Sequence, residues 1–322
     1  MRDRVNLDPE QTSTARGSRE SLFSQLKILH DTHADFPNPY PEQSIGFGSF
    51  QRRTKIRPLD DIDVISCLHA NGAQYHWDGA EIHIRVPDAA TRLRALCNDG
   101  TDELNSRKVV NKFVQRLSTI PQYKRADLKR DGEAAVLALS SYEWSFDVVP
   151  AFFTTPEWNG RNYFLIPNGQ GTWKKTDPRI DGNRVTRLDG AHDGNLLPIV
   201  RLAKYWNKRP TMPTVQSYIL ELIVLAAHET GHVTANQWVD MNFGALLKHI
   251  QAAIHSPVVD PAGIQQGDIN SMPVLDRYAV SQRAGRDAQL ADEARDAERR
   301  KDHKASIAIW RTVFGPEFPA YG

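Results

Sequence analysis

Apolar positions recur along this chain with two periods, and the change of period divides it. Leu22, Phe23, Leu26 and Leu29 repeat at helical spacing and predict a helix over 18–33, with Ser18 as its cap. The polar residues 1–17 read as a flexible lead, and Pro37, Pro39 and Pro41 end the helix. Strand-like runs follow at 45–50, 59–68, 81–86, 134–139, 144–152 and 163–166, with helical stretches near 88–97 and 103–118. The remainder of 153–192 is rich in Gly, Asn, Asp and Pro and predicts loops. From Asn195 onward the spacing is helical, over 195–207, 214–228, 240–254 and a long region 276–313. In the last region Ala288, Ala291, Ala294, Ile307, Trp310 and Phe314 are expected inward, and the mixed charges of 292–304 outward. Strands first and helices after predict an α+β protein: a mixed-sheet lobe over 1–193 and a helical lobe over 194–322.

Composition narrows the function classes. The chain has 322 residues, 40% hydrophobic, enough for a sizeable core. A net charge of +1 gives no global field toward nucleic acid or membrane. One local patch (Arg107, Lys108, Lys112, Arg116, Lys124, Arg125, Lys129 and Arg130) contains a single acid, Asp127. Its only aromatics are Phe113 and Tyr123, so a solvated face is the plainer reading and nucleic acid is not an expected partner. Cys67 and Cys97 make no disulfide framework. No apolar signal region or membrane-length run is seen, so the expectation is a cytoplasmic protein.

The chemistry-bearing segment runs from Gly48-Ser49 to Asp61-Ile62-Asp63. A strand points every second side chain to one face, so Asp61 and Asp63 face together while Ile62 and Val64 face the core. Neighbouring carboxylates repel, and a divalent cation relieves that repulsion. Asp147, a lone acid in the apolar run Phe146-Asp147-Val148-Val149, is the candidate third ligand. Two Mg²⁺ ions about 4 Å apart would clamp the attacking and leaving oxygens of a phosphoryl displacement. Gly48 lets backbone approach a phosphate, and Ser49 can donate to its oxygen. The bland alternative is a polar turn.

Together these residues resemble the DNA polymerase β-type nucleotidyltransferases, and within them the bacterial CD-NTases, relatives of animal cyclic GMP–AMP synthase. Gly48-Ser49 with Thr54, Ile56 and Asp61-Ile62-Asp63 is similar to the GS…DxD signature. Phe146-Asp147-Val148-Val149-Pro150 resembles the third-acid strand. Arg201 to Asn207, Ser217 to Glu221 and the closing Trp310…Phe318 resemble the helical lobe. One departure is Arg53, where many members carry Gly before the Thr. The resemblance implies an active site in a cleft between lobes. It implies condensation of nucleoside triphosphates (ATP, with GTP, UTP or CTP as further candidates) into a cyclic di- or trinucleotide messenger in antiphage defence. Mg²⁺, with Mn²⁺ as substitute, is the implied cofactor. Lys204 and Ser217 would hold the donor triphosphate and Tyr218 would stack on a base, the alternative for Tyr218 being a plain core aromatic. A regulatory or conjugating protein at the C-terminal Gly322 is a further implied partner. Transfer to RNA or another acceptor, or nucleotide binding without catalysis, are the alternatives.

Two further features bear on this. Arg201, Lys204 and Lys208 share one side of a helix, either as a triphosphate-facing stripe or as a solvated face. His228-Glu229-Thr230-Gly231-His232 spells the zinc-peptidase HExxH. Gly231 inside that turn reads as a helix C-cap, so the match is expected to be fortuitous.

Overall fold

The computed structural model describes residues 1–322, which fall into two compact units. One comprises 8–52 and 58–179; the other comprises 180–322 with 1–7 and 53–57. The chain thus changes unit between Arg179 and Ile180, where the pattern places the lobe boundary at 193.

The first unit is built on a mixed sheet. Its elements in chain order are α1 (Pro9–Thr32), β1 (Ile45–Phe47), α2 (Gly48–Gln51), β2 (Asp61–Leu68), β3 (Gln74–Trp77) and β4 (Ile82–Arg85). Then come α3 (Thr91–Arg94), α4 (Ser106–Leu117), β5 (Asp127–Asp131), β6 (Ala134–Ala138), β7 (Ser145–Phe153), β8 (Phe164–Pro167) and β9 (Trp173–Thr176). The sheet runs β1-β2-β7-β8-β9-β4-β3, with β6 also on β7 and β5 on β6. The central pair, β2 and β7, is parallel and in register along all eight residues of β2. Buried Ile65, Cys67, Val149, Ala151, Phe164 and Ile166 pack on one side of it. Burial pushes the Cys67 thiol up to about 12, so it stays an inert core group.

The second unit is helical: α5 (Pro178–Ala191, entering it at Ile180), α6 (Leu196–Asn207), α7 (Ser217–Glu229), α8 (Phe243–Ala253), α9 (Val274–Arg299) and α10 (His303–Phe314). Its core is one apolar cluster from Val185 to Phe314. Small residues set the α8–α9 spacing: a Cβ on Gly244 would stand 3.3 Å from that of Ala291. No helix is long and apolar enough to cross a membrane.

Several expected boundaries are corrected. Residues 9–17 are helical, because the Asp8 carboxylate caps the Glu10 and Gln11 amides and Pro9 stands in the first turn. The run 45–50 turns helical at Gly48. The region 276–313 breaks at 300–302, where Lys301 has φ 63° and Asp302 caps the Ala305 amide. Within 153–192 the pattern misses β9 and the helix α5, which buries only Val185, Leu188 and Asp189. It also misses β3 and β5; the latter is a charged strand held by backbone pairing to β6.

Between α6 and α9 lies a wholly buried acid. Asp287 accepts from the Trp206 indole N–H at 2.8 Å and from Arg283 Nε at 2.6 Å. Asp287→Ala leaves both donors without that acceptor and is expected to cost about 3 kcal/mol of stability. Urea unfolding measures this; a midpoint equal to the wild type's would contradict it.

Candidate functional site

The candidate acids are positioned by the β2–β7 register. Asp63 lies directly opposite Asp147, and Asp61 opposite Ser145. Adjacent parallel strands point their registered side chains to the same face, so Asp61, Asp63 and Asp147 share one. All three are half-buried, while Ile62, Val64, Phe146 and Val148 fill the opposite, buried face. The entry to β2 is tied to β7, since the Ser145 amide donates to the Asp60 carbonyl at 2.9 Å.

On the other edge of β2, Phe47 of β1 pairs with Asp63. The next residue, Gly48, has φ 70°, and a Cβ built on it would lie 1.8 Å from Asp63 Oδ2. Only glycine leaves room there for the carboxylate. Ser49 follows in the single turn α2. The donor set is therefore all oxygen and acidic, which suits a hard divalent cation. No group of three His, Cys, Asp or Glu side chains stands at metal-ligand spacing.

The remaining candidates lie in the helical unit. Ser217 opens α7 and is exposed, while half-buried Tyr218 donates its hydroxyl to Asp181 at 2.9 Å. Lys204 is buried; its ammonium pairs with Glu221 at 2.6 Å and donates to the Thr54 hydroxyl at 3.1 Å. Arg201 donates to the Arg53 carbonyl and to Asn6, and Lys208 to the Arg57 carbonyl. The stripe is thus neither a bare phosphate-facing row nor a plain solvated face, because all three cations engage the segment 53–57. Sequence reading missed Glu221, Asp181 and Asn6 as their partners. For Glu221 a signal existed: a lone acid in the apolar helix α7 needs an opposite charge.

No protein-family model matches the chain. It is 41% identical to a probable cyclic nucleotide synthase of Bacillus cereus strain VD146, across all of this chain and 96% of that protein. The chain belongs to the bacterial CD-NTase family. A cyclic AMP-AMP-AMP synthase of Escherichia coli strain MS 115-1 is 23% identical over 71% of this chain and 62% of its own length. Among solved structures, E. coli MS115-1 CdnC with ATP has a TM-score of 0.71 at 18% identity, covering 99% of this chain and 96% of that one. The Vibrio cholerae DncV cyclic AMP–GMP synthase has a TM-score of 0.66 at 11% identity, covering 98% and 93%. The two-part fold of this CD-NTase, a mixed sheet with a helical C-terminal region, is theirs.

Arg53 adopts φ 61°, the left-handed conformation that glycine takes without cost. Its guanidinium lies 3.7 Å from Asp189, and its carbonyl is held by Arg201.

The other motifs resolve structurally. Helix α7 ends at Glu229 and Gly231 has φ 74°, so His228 and His232 do not share a helical face. Buried His228 bonds the Val224 carbonyl at 2.8 Å, and Glu229 pairs with Arg184 and Arg187. In the basic patch, Lys108 pairs with Asp99, while Lys112 and Arg116 both pair with Asp35. Arg116 and Lys112 hold the Asp35 carboxyl down to about 2.

Gly48→Ala forces the Asp63 carboxylate off its position and the backbone into strain. Product formation is expected to fall ~100-fold, the order reached when reacting groups shift by about 1 Å. Steady-state kinetics on folded variant protein checks this; wild-type turnover would contradict it.

Proposed function

We propose that this CD-NTase condenses nucleoside triphosphates into a cyclic di- or trinucleotide on the face carrying Asp61, Asp63 and Asp147. The observation that carries the reading is the in-register pairing of Asp63 with Asp147, two residues along from Asp61. Like charges placed side by side are unfavourable unless a cation is shared among them. The three carboxylates would hold two Mg²⁺ ions, with Mn²⁺ as substitute. When bound, the metals supply a lowered hydroxyl pKa and stabilise the pyrophosphate that leaves.

The chain's own groups do the rest. Asp147 accepts the proton of the attacking ribose hydroxyl as its oxygen bonds to the α-phosphorus. The bond to pyrophosphate breaks on the opposite side. Gly48, lacking a side chain, leaves room for the Asp63 carboxylate, while its backbone and the Ser49 hydroxyl would meet a phosphate oxygen. In the helical unit, exposed Ser217 is placed to donate to donor phosphates, with α7's amides favouring the anion. Half-buried Tyr218 packs against the helical core with its hydroxyl on Asp181, and the exposed part of its ring would stack on a base. Lys204, expected on the triphosphate, instead pairs with Glu221 and Thr54.

The relatives' names support ATP as one substrate and a cyclic product. Antiphage signalling in the cytoplasm is the corresponding biological role. E. coli CdnC has been solved in complex with HORMA, which supports a regulatory protein partner for this chain too. Residues 319–322 are exposed and would be accessible to a partner protein.

The double variant Asp61→Asn, Asp63→Asn is expected to make no product from the four nucleoside triphosphates while keeping its circular dichroism spectrum. Mass spectrometry of the reaction mixture reads the result. Wild-type product made without added RNA, resistant to phosphatase, supports the cyclic messenger. Product retained by the double variant sinks the assignment.

A further inference from the structure

We infer that Lys204, Glu221 and Thr54 form a positioning network, fixing a strap whose two ends are the nucleotide-side turn and the first catalytic strand. The strap is Arg53–Arg57. In sequence it joins Arg52, which closes α2 just after Gly48-Ser49, to Pro58-Leu59-Asp60, which leads into Asp61. Its five residues nonetheless belong to the helical unit.

Several contacts from within that unit hold the strap. The Thr54 hydroxyl, wholly buried, donates to Glu221 Oε2 at 2.8 Å and accepts from Lys204 Nζ at 3.1 Å. Lys204 and Glu221 are themselves 5% and 1% exposed. Arg201 holds the carbonyl at one end of the strap, Arg53, at 2.9 Å. At the other end, Lys208 holds the Arg57 carbonyl at 3.0 Å. The Arg57 amide donates to the Val5 carbonyl at 3.1 Å, and its Nε to the Asn6 carbonyl at 2.5 Å. Arg53 is kept in the left-handed region despite its side chain, a conformation that persists only where its surroundings over-determine it.

An apolar core of the same volume would stabilise this region as well as a buried ion pair does. What the pair adds is a single place where a threonine hydroxyl is satisfied. A one-residue slip of the strap would bring Arg53 or Lys55 against the Lys204–Glu221 pair and leave those charges without the hydroxyl. The network therefore sets the strap's register, and through the chain it sets where α2 ends and β2 begins. On this account Lys204 acts on the strap through Thr54 and Glu221.

The kinetic arm of the test rests on the proposed function; the exchange arm does not. Thr54→Val keeps the volume and removes the hydroxyl. It is expected to speed amide hydrogen exchange roughly tenfold over residues 53–63 and not over residues 180–322. With ATP it is expected to lower kcat roughly tenfold with KM within about threefold. Thr54→Ser restores both readings, and Lys204→Met reproduces the kcat loss. A Thr54→Val protein matching the wild type in exchange and kinetics overturns the network. So does a raised KM in Lys204→Met beside a silent Thr54→Val, or faster exchange spread evenly over the helical unit. Wild-type protein that makes no cyclic product sinks the functional reading alone, and the exchange pattern still decides the strap.

Discussion

Two carboxylates held side by side on neighbouring parallel strands are the constraint around which this chain is organised. Asp63 and Asp147 are registered partners in the middle of the mixed sheet. Their backbones cannot separate without breaking the longest ladder in the sheet, so the two carboxylates stay neighbours. The buried face beneath them, with Ile62, Val64, Phe146 and Val148, makes the arrangement rigid. Gly48 then closes against Asp63 from the next strand, where any larger residue would occupy the carboxylate's space. Packing on one side of β2 and β7 thus fixes the spacing of charge on the other.

The helical unit solves a different problem. It threads a five-residue stretch of the N-terminal half through its own contacts, using cations of α6 and the acid of α7. The buried Asp287 between Trp206 and Arg283 does similar work between α6 and α9. Buried charges of this kind contribute little net stability, but each narrows the arrangements its partners can adopt.

The order of strands and helices was legible in the hydrophobic period, as was the pairing of Asp61 with Asp63. Asp147 stood out as a charge in an otherwise apolar strand, and membership of the CD-NTase family agrees with the resemblance carried by these segments. What escaped was structure without an apolar pattern. The edge strand β5 is made by backbone pairing, α5 buries three side chains in fourteen residues, and the first turns of α1 depend on the Asp8 cap. The partners of Lys204 and Arg53 escaped for another reason. Both depend on partners far away in sequence, and one-dimensional spacing carries no information on which charge meets which.

The most direct test is to locate the metal. Crystals grown with Mn²⁺ and a non-hydrolysable ATP analogue give anomalous scattering at the manganese edge. The account predicts peaks within coordination distance of the Asp61, Asp63 and Asp147 carboxylates, shared with phosphate oxygens of the nucleotide. Manganese bound elsewhere, or an Asp147 side chain turned away from an occupied site, would contradict it.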